Sequence, residues 1–396
     1  MSTIYFDHNA TTPVRPEVLE AMLPFLGEQY GNASSIHRLG RQARQAVEEA
    51  RIKVAAALGC EASEVVFTGS GTESDNHAIK GTFFAGREKG DHLITSRIEH
   101  HAVLHTVEHL EKHHGARATY LGVDQHGAVD PDQVRLAITD RTLLASVMHA
   151  NNEVGTIQPI ADIARICRER GVLLHTDAIQ AFGKMDCDVK ELGVDLLSIS
   201  GHKVYAPKGV GALYVRKGTK LHSLLHGGGH ERNRRASTEN VAGIVALGAA
   251  AELAARDRAQ ESATLAGLRD RLWQGISGAI TNVRRNGHPE HTLPGTLSVC
   301  FEYIEGESVL LSLDLKGIAC SSGSACTSGS LEPSHVLAAM GVPTEVAQGS
   351  VRFSLGRGNT AEEVDAVVGV LKEAVARLRS MSPITPKSTC GGGVAS

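Results

Sequence analysis

The chain has no segment long and apolar enough to cross a bilayer. Its longest apolar run, near Val241–Ala251, falls well short of the ~20 residues a spanning helix needs. It has no block of like charge either. The 40 Lys+Arg and 44 Asp+Glu are interspersed and leave a net charge of −4, so no nucleic acid and no membrane is expected as a partner. The stretch Met1 to Asp7 lacks the basic start and apolar centre of a secretory leader, and a cytoplasmic protein is expected. Zinc spacing is absent too. The seven cysteines (60, 167, 187, 300, 320, 326 and 390) are odd in number and scattered, without a Cys-x-x-Cys pair or a His/Cys cluster. A reducing compartment therefore fits better than a disulfide framework, and no metal is expected. No GxGxxG follows the first strand and no P-loop lysine is present, so neither a dinucleotide nor ATP is implied.

What the chain does have is alternation. Short β-branched runs at 65–67, 92–95, 118–123, 142–148, 172–178 and 195–200 are separated by amphipathic stretches. That pattern predicts an α/β fold, a mostly parallel sheet with helices on both faces. Before it, Ser35 to Leu58 reads as a long helix capped by Gly59. After Val215 come a Gly-rich segment and two Ala-rich helical stretches, one from Asn240 to about Arg256 and one to about Ile280. The strands at 296–301 and 350–355, with helices at 307–316 and 361–379, suggest a small α+β unit. At 396 residues a large domain plus a smaller one is expected. We divide the chain into a large domain at 15–258, a small domain at 259–380 that also takes residues 1–14, and a mobile tail at 381–396.

Four constellations carry chemistry. The strand VLLHTDA ends in Asp177, where ligands of parallel sheets bind and where a carboxylate could keep a pyridinium protonated; alone, it would read as a helix cap. The next strand, DLLSIS, runs straight into Ser200-Gly-His-Lys203. A lysine in so tight a loop is placed to be desolvated and nucleophilic, as bonding to an aldehyde cofactor requires. Thr68-Gly-Ser-Gly-Thr-Glu73 follows a strand and opens a helix, a setting for a phosphate. Small residues crowd around Cys326, which suggests an exposed, mobile loop, whereas Cys320 beside Ile318 and Ala319 reads as a packing residue.

Taken together, YFDHNATTP, FTGSGTESDN, Glu99-His100, MHANNEVG, HTDAIQ, SGHK, HGGGHE and SSGSACTSGSLEPSHVL resemble the NifS/IscS cysteine desulfurases, within the class V aminotransferase superfamily. The run after Cys326 resembles the NifS branch, which serves nitrogen fixation, more than IscS. The resemblance implies pyridoxal-phosphate fold type I with a seven-stranded sheet, a homodimer, pyridoxal 5'-phosphate as cofactor and L-cysteine as substrate. It implies Lys203 as the Schiff-base lysine, Asp177 as partner of the pyridine nitrogen and His100 as the ring stacked on the cofactor. Asn152 and Gln180 would hold the phenolic oxygen; Gly71, Thr72, Ser200 and His202 would cradle the phosphate, with Thr238 reaching in from a second subunit. Arg352, with Asn152, would bind the substrate carboxylate, and Cys326 would take the sulfur as a persulfide. An iron-sulfur scaffold protein would accept that sulfur, through at most a transient iron-sulfur contact at Cys326. Two positions depart from the family pattern: Gly69-Ser70-Gly71 in the phosphate loop, and Ser237 in place of the glycine before Thr238. A class V aminotransferase or selenocysteine lyase would share Asp177 and Lys203, and a non-catalytic sulfur-transfer scaffold would share only the fold.

Overall fold

The structure is a computed structural model that describes residues 3–322 and 334–382. Cys326, Cys390 and the tail beyond Ser382 lie outside the described residues. After a short strand β1 (Ile4–Tyr5) come β2 (Val65–Thr68), β3 (His92–Ser96), β4 (Arg117–Leu121), β5 (Thr142–Ser146), β6 (Leu173–Asp177), β7 (Leu196–Ser200) and β8 (Gly211–Val215). Strands β2 to β8 form the seven-stranded sheet, in the order β2-β8-β7-β6-β5-β3-β4. Only β8 runs against its neighbours there.

Burial on both faces explains why these strands read as apolar runs. Within β2, Val65 and Phe67 join one core with Val47, Val54 and Leu58, while Val66 joins the opposite core with Ile79, Phe83 and Val107. The helix expected from Ser35 begins at Arg38. His37 caps it by accepting from Gly40 N, and Gly59, at φ 68°, closes it in the left-handed conformation.

A second unit holds β9 (Val283–Asn286), β10 (Thr296–Phe301), β11 (Ile318–Ala319) and β12 (Ser350–Ser354), with β12-β10-β9 antiparallel and β1 pairing in parallel with β11. Phe6 is buried in its core beside Leu297, Phe301, Val351 and Phe353. The two expected Ala-rich helices are in fact one, Val241–Ala279, of 39 residues. The charged stretch Arg256-Asp257-Arg258 that interrupts the apolar period does not interrupt the helix. Those charges pair with one another and with Arg15 and Asp186. The division expected near residue 258 thus falls inside a continuous helix, with Ile244, Leu247 and Ala251 in the first core and Leu265, Leu272 and Ile276 in the second.

Candidate active site

The parallel strands end on one side of the sheet, and the residues singled out in the sequence follow those ends. β6 closes on Asp177, whose register partner on β7 is Ser198. Two residues later Ser200 leads into the turn Gly201–Lys203. β3 leads to Glu99 and His100, and β5 to the turn that carries Asn152.

Asp177 is buried and its Oδ1 accepts from Ile179 N at 2.8 Å. Burial raises its carboxyl to about 6, against the lowering effects of that bond and of the Lys203 charge. His100 caps the helix His101–His114 through Nδ1, which accepts from Ala102 N at 3.1 Å. Burial first, then the Lys203 charge, brings its ring down to about 4. The imidazole is therefore neutral near pH 7, and with Nδ1 as acceptor its proton sits on Nε2. His101 turns to its own neighbours, stacking on His105 with ring centroids 4.8 Å apart.

The Lys203 ammonium donates to the backbone oxygens of Asn9 and Ala10, the latter at 2.8 Å. Asn9, which carries no chemical signal of its own in the sequence, is a hub. Its backbone oxygen also accepts from Gln180 Nε2 at 2.9 Å, and its side-chain oxygen accepts from Lys184 Nζ at 2.9 Å. Lys184 also donates to Gln180 Oε1 at 2.8 Å, so both ends of the Gln180 amide are engaged. A further carboxyl group without a signal in the sequence, Asp75, is fully buried, with His175 Nε2 3.6 Å from its Oδ1. Burial and the Asp177 charge hold it well above the usual carboxylate range.

Gly71 opens the helix Gly71–Gly86 in a space with no room for a side chain. A Cβ there would lie 2.3 Å from Ile179 Cδ1 and 3.1 Å from Ser200 Cβ. The helix start thus lies against Ser200, and its first N–H groups have no partner within the helix. Ser70, one of the two departures, caps this helix by accepting from Glu73 N at 3.1 Å. Thr72 is exposed, and the His202 ring meets Thr11 Oγ1 at 3.2 Å. The other departure is strained: Ser237 has φ 141°, where L residues are rare. Thr238 beside it is exposed and lines a cavity with Thr68 and Gly69 of the same chain.

Arg352, in the middle of β12, is buried. Its Nη1 donates to Asn152 O and its Nη2 to Asp7 Oδ1, both at 3.0 Å, while Nε has no partner. Cys320 is half-buried against the second core, and burial pushes its thiol up to about 12, so it stays protonated. The arrangement can seat an anion at the helix start, keep a buried carboxylate near a lysine, and bind a second carboxylate at Arg352. Asp7 and Asn9 both sit in the YFDHNATTP run, the one signal that could have found them.

Residues 4–367 match the family model "Aminotransferase class-V". The chain is 57% identical over 384 residues to cysteine desulfurase IscS of Methanosarcina thermophila, covering 97% of this chain and 95% of that one. A solved NifS-like protein superposes with a TM-score of 0.90 at 40% identity, covering 95% of this chain and all of that one (100%). SspA, solved in complex with cysteine, superposes with a TM-score of 0.81 at 40% identity, over 90% of this chain and 100% of that one.

Proposed function

The chain belongs to the NifS/IscS cysteine desulfurases of the class-V aminotransferase family, and on that premise we propose that it moves the sulfur of L-cysteine onto Cys326 as a persulfide, releases L-alanine and uses pyridoxal 5'-phosphate. The observation that carries the proposal is electrostatic and geometric together. β6 ends on the buried Asp177, its neighbour β7 runs into the turn carrying Lys203, His100 caps the helix that follows β3, and the Lys203 charge acts on both Asp177 and His100.

The residues fit the cofactor. Gly71 lets backbone approach closely at a helix start, Ser200 lies against it, and Asp177 is a buried carboxyl group at a strand end. Gly71, Thr72, Ser200 and His202 would hold the phosphate, Asp177 the pyridine nitrogen and Lys203 the aldehyde. When bound, the cofactor supplies an aldehyde that captures the amine and a protonated ring that withdraws electrons. Gln180 would contact the phenolic oxygen by exchanging its bond to Asn9, and Asn152 would join it there.

Lys203, once released, takes the substrate α-proton. His100 can move a proton only at Nε2, since Nδ1 is tied to Ala102 N. Arg352 binds the substrate carboxylate. The Cys326 thiolate attacks the substrate sulfur, an S–S bond forms as the C–S bond breaks, and the carbon fragment takes up protons to become alanine.

The functional unit is a homodimer in which Thr238 serves the partner's phosphate. Leu23, Leu26, Tyr30 and Ile36 are exposed on one N-terminal stretch, an apolar surface that suits such an interface. We divide the subunit into domains at 15–258 and at 259–380 with 1–14. A cytoplasmic setting, where thiols stay reduced, suits a persulfide carrier, and an iron-sulfur scaffold protein suits its acceptor. Nitrogenase-directed or general cluster assembly would both use this chemistry.

The test is to incubate the holoenzyme with L-cysteine and quantify alanine. Cys326→Ser should keep the cofactor and make no alanine, while Cys320→Ser stays active. Alanine at the wild-type rate from Cys326→Ser, or a persulfide mapped to Cys320, overturns the proposal.

A further inference from the structure

We propose that Asp7 is a positioning residue for the substrate carboxylate: with Asn152 O it fixes the plane in which the Arg352 guanidinium meets the ligand. The inference rests on the reading of Arg352 as the carboxylate clamp.

The guanidinium is anchored at two different nitrogens, Nη1 on Asn152 O and Nη2 on Asp7 Oδ1, each at 3.0 Å. Two anchors fix a plane, whereas one leaves a long side chain free to swing and adds rotamer entropy to be lost on binding. Plane matters because a carboxylate is read by parallel N–H bonds in a rigid fork. Nη1 and Nη2 each keep a second N–H for a ligand, in the plane the two anchors fix, while Nε is buried without an acceptor.

Asp7 is itself held. Its Oδ2 accepts from Ser321 Oγ at 2.8 Å, and its backbone oxygen accepts from Tyr5 OH at 3.1 Å. Ser321 in turn exchanges backbone hydrogen bonds with Arg352, at 2.6 and 3.2 Å. Asp7, Ser321 and Arg352 close a triangle built from three remote parts of the chain.

Asp7 also has an opposing effect, because a carboxylate beside the clamp repels a second carboxylate. The two effects predict opposite signs. If charge dominates, removing Asp7 tightens carboxylate binding; if positioning dominates, it weakens it.

The experiment uses the holoenzyme and two fragments of cysteine: 3-mercaptopropionate, which has the carboxylate and no amine, and cysteamine, which has the amine and no carboxylate. Calorimetry should show Asp7→Ala binding 3-mercaptopropionate about tenfold more weakly, ~1.4 kcal/mol, with cysteamine unaffected. KM for L-cysteine should rise in step while kcat changes less. Asp7→Asn should recover most of the loss, because its amide oxygen still accepts from Nη2. Ser321→Ala, which loosens Asp7 without removing it, should shift the same way by less, and it serves if Asp7→Ala does not fold. Unchanged or tighter 3-mercaptopropionate binding in Asp7→Ala, or an equal loss for cysteamine, overturns the proposal. A wild-type enzyme that does not bind 3-mercaptopropionate would instead remove Arg352 as the clamp, and the proposal with it.

Discussion

Lys184 and Lys203 hang from the same residue. The first donates to the side-chain oxygen of Asn9 at 2.9 Å and the second to its backbone oxygen. Burial, then the charges of Lys203 and Arg352, brings Lys184 down to about 7. Lys184 therefore gains or loses its charge near neutrality, beside Asn9 and Gln180. Lys184→Met, which cannot titrate, should remove a step near pH 7 from the kcat profile. Lys184→Arg, charged throughout, should remove the step and keep the low-pH rate. A pH-rate series on the three proteins checks this.

Ser237 at φ 141° sits where glycine is at ease. Ser237→Gly should stabilise the fold by ~1 kcal/mol, the strain relieved less the added freedom of the unfolded chain. Ser237→Ala should give no gain. Thermal unfolding of both variants distinguishes the outcomes, and slower cofactor loss from Ser237→Gly would extend the effect to Thr238.

The Gly-rich segment is held by a buried ion pair. Arg51 meets Glu231 at 2.6 and 2.8 Å, and Glu231 also accepts from Phe67 N at 2.9 Å. Glu231, Arg232 and Asn233 all have positive φ, so this anchor holds backbone that would otherwise relax. Arg51→Met leaves the Glu231 carboxylate buried and unpaired and should cost ~3–5 kcal/mol in urea unfolding. The double change Arg51→Met with Glu231→Gln should cost less than the single one.

Glu99 is fully buried, and burial pushes its carboxyl to about 8. The native state therefore keeps a proton that the unfolded chain releases near the ordinary glutamate value. Stability contributed at this site falls as pH rises from that value through about 8. Glu99→Gln is neutral throughout and its Oε1 can still accept from Ser96 and Met148 N. The melting temperature of the variant relative to wild type should climb between pH 5 and pH 8.5. A difference independent of pH would mean that Glu99 is ionised in the folded protein.

Asp177 and Lys203 were legible because their placement is local. An apolar strand announces its own end, and the next residue inherits the site. The partners that orient them were not. Asn9 meets Lys203 across 194 residues, and Asp7 meets Arg352 across 345, with no periodicity to link the pieces. β9, Val-Arg-Arg-Asn, shows no strand pattern of its own and is a strand because β10 pairs with it. The continuous helix reads as two in the sequence because Arg256 to Arg258 break its apolar period, and their ion pairs are tertiary ones that no local pattern shows.

The docking of β1 and Phe6 into the second core sets an order of events during synthesis. The segment that supplies Asp7, Asn9 and Ala10 is made well before its seat, which includes Ser354, 345 residues after Asn9. At usual rates of translation that separation is roughly 20–70 s. A nascent chain halted before β12 would carry Asp177, Lys203 and Asn9 but would lack Ser354 to seat Asn9 and Arg352 to meet Asp7. Asp7 and Asn9 thus wait for partners made long after them, and the site is completed only once β12 has been made.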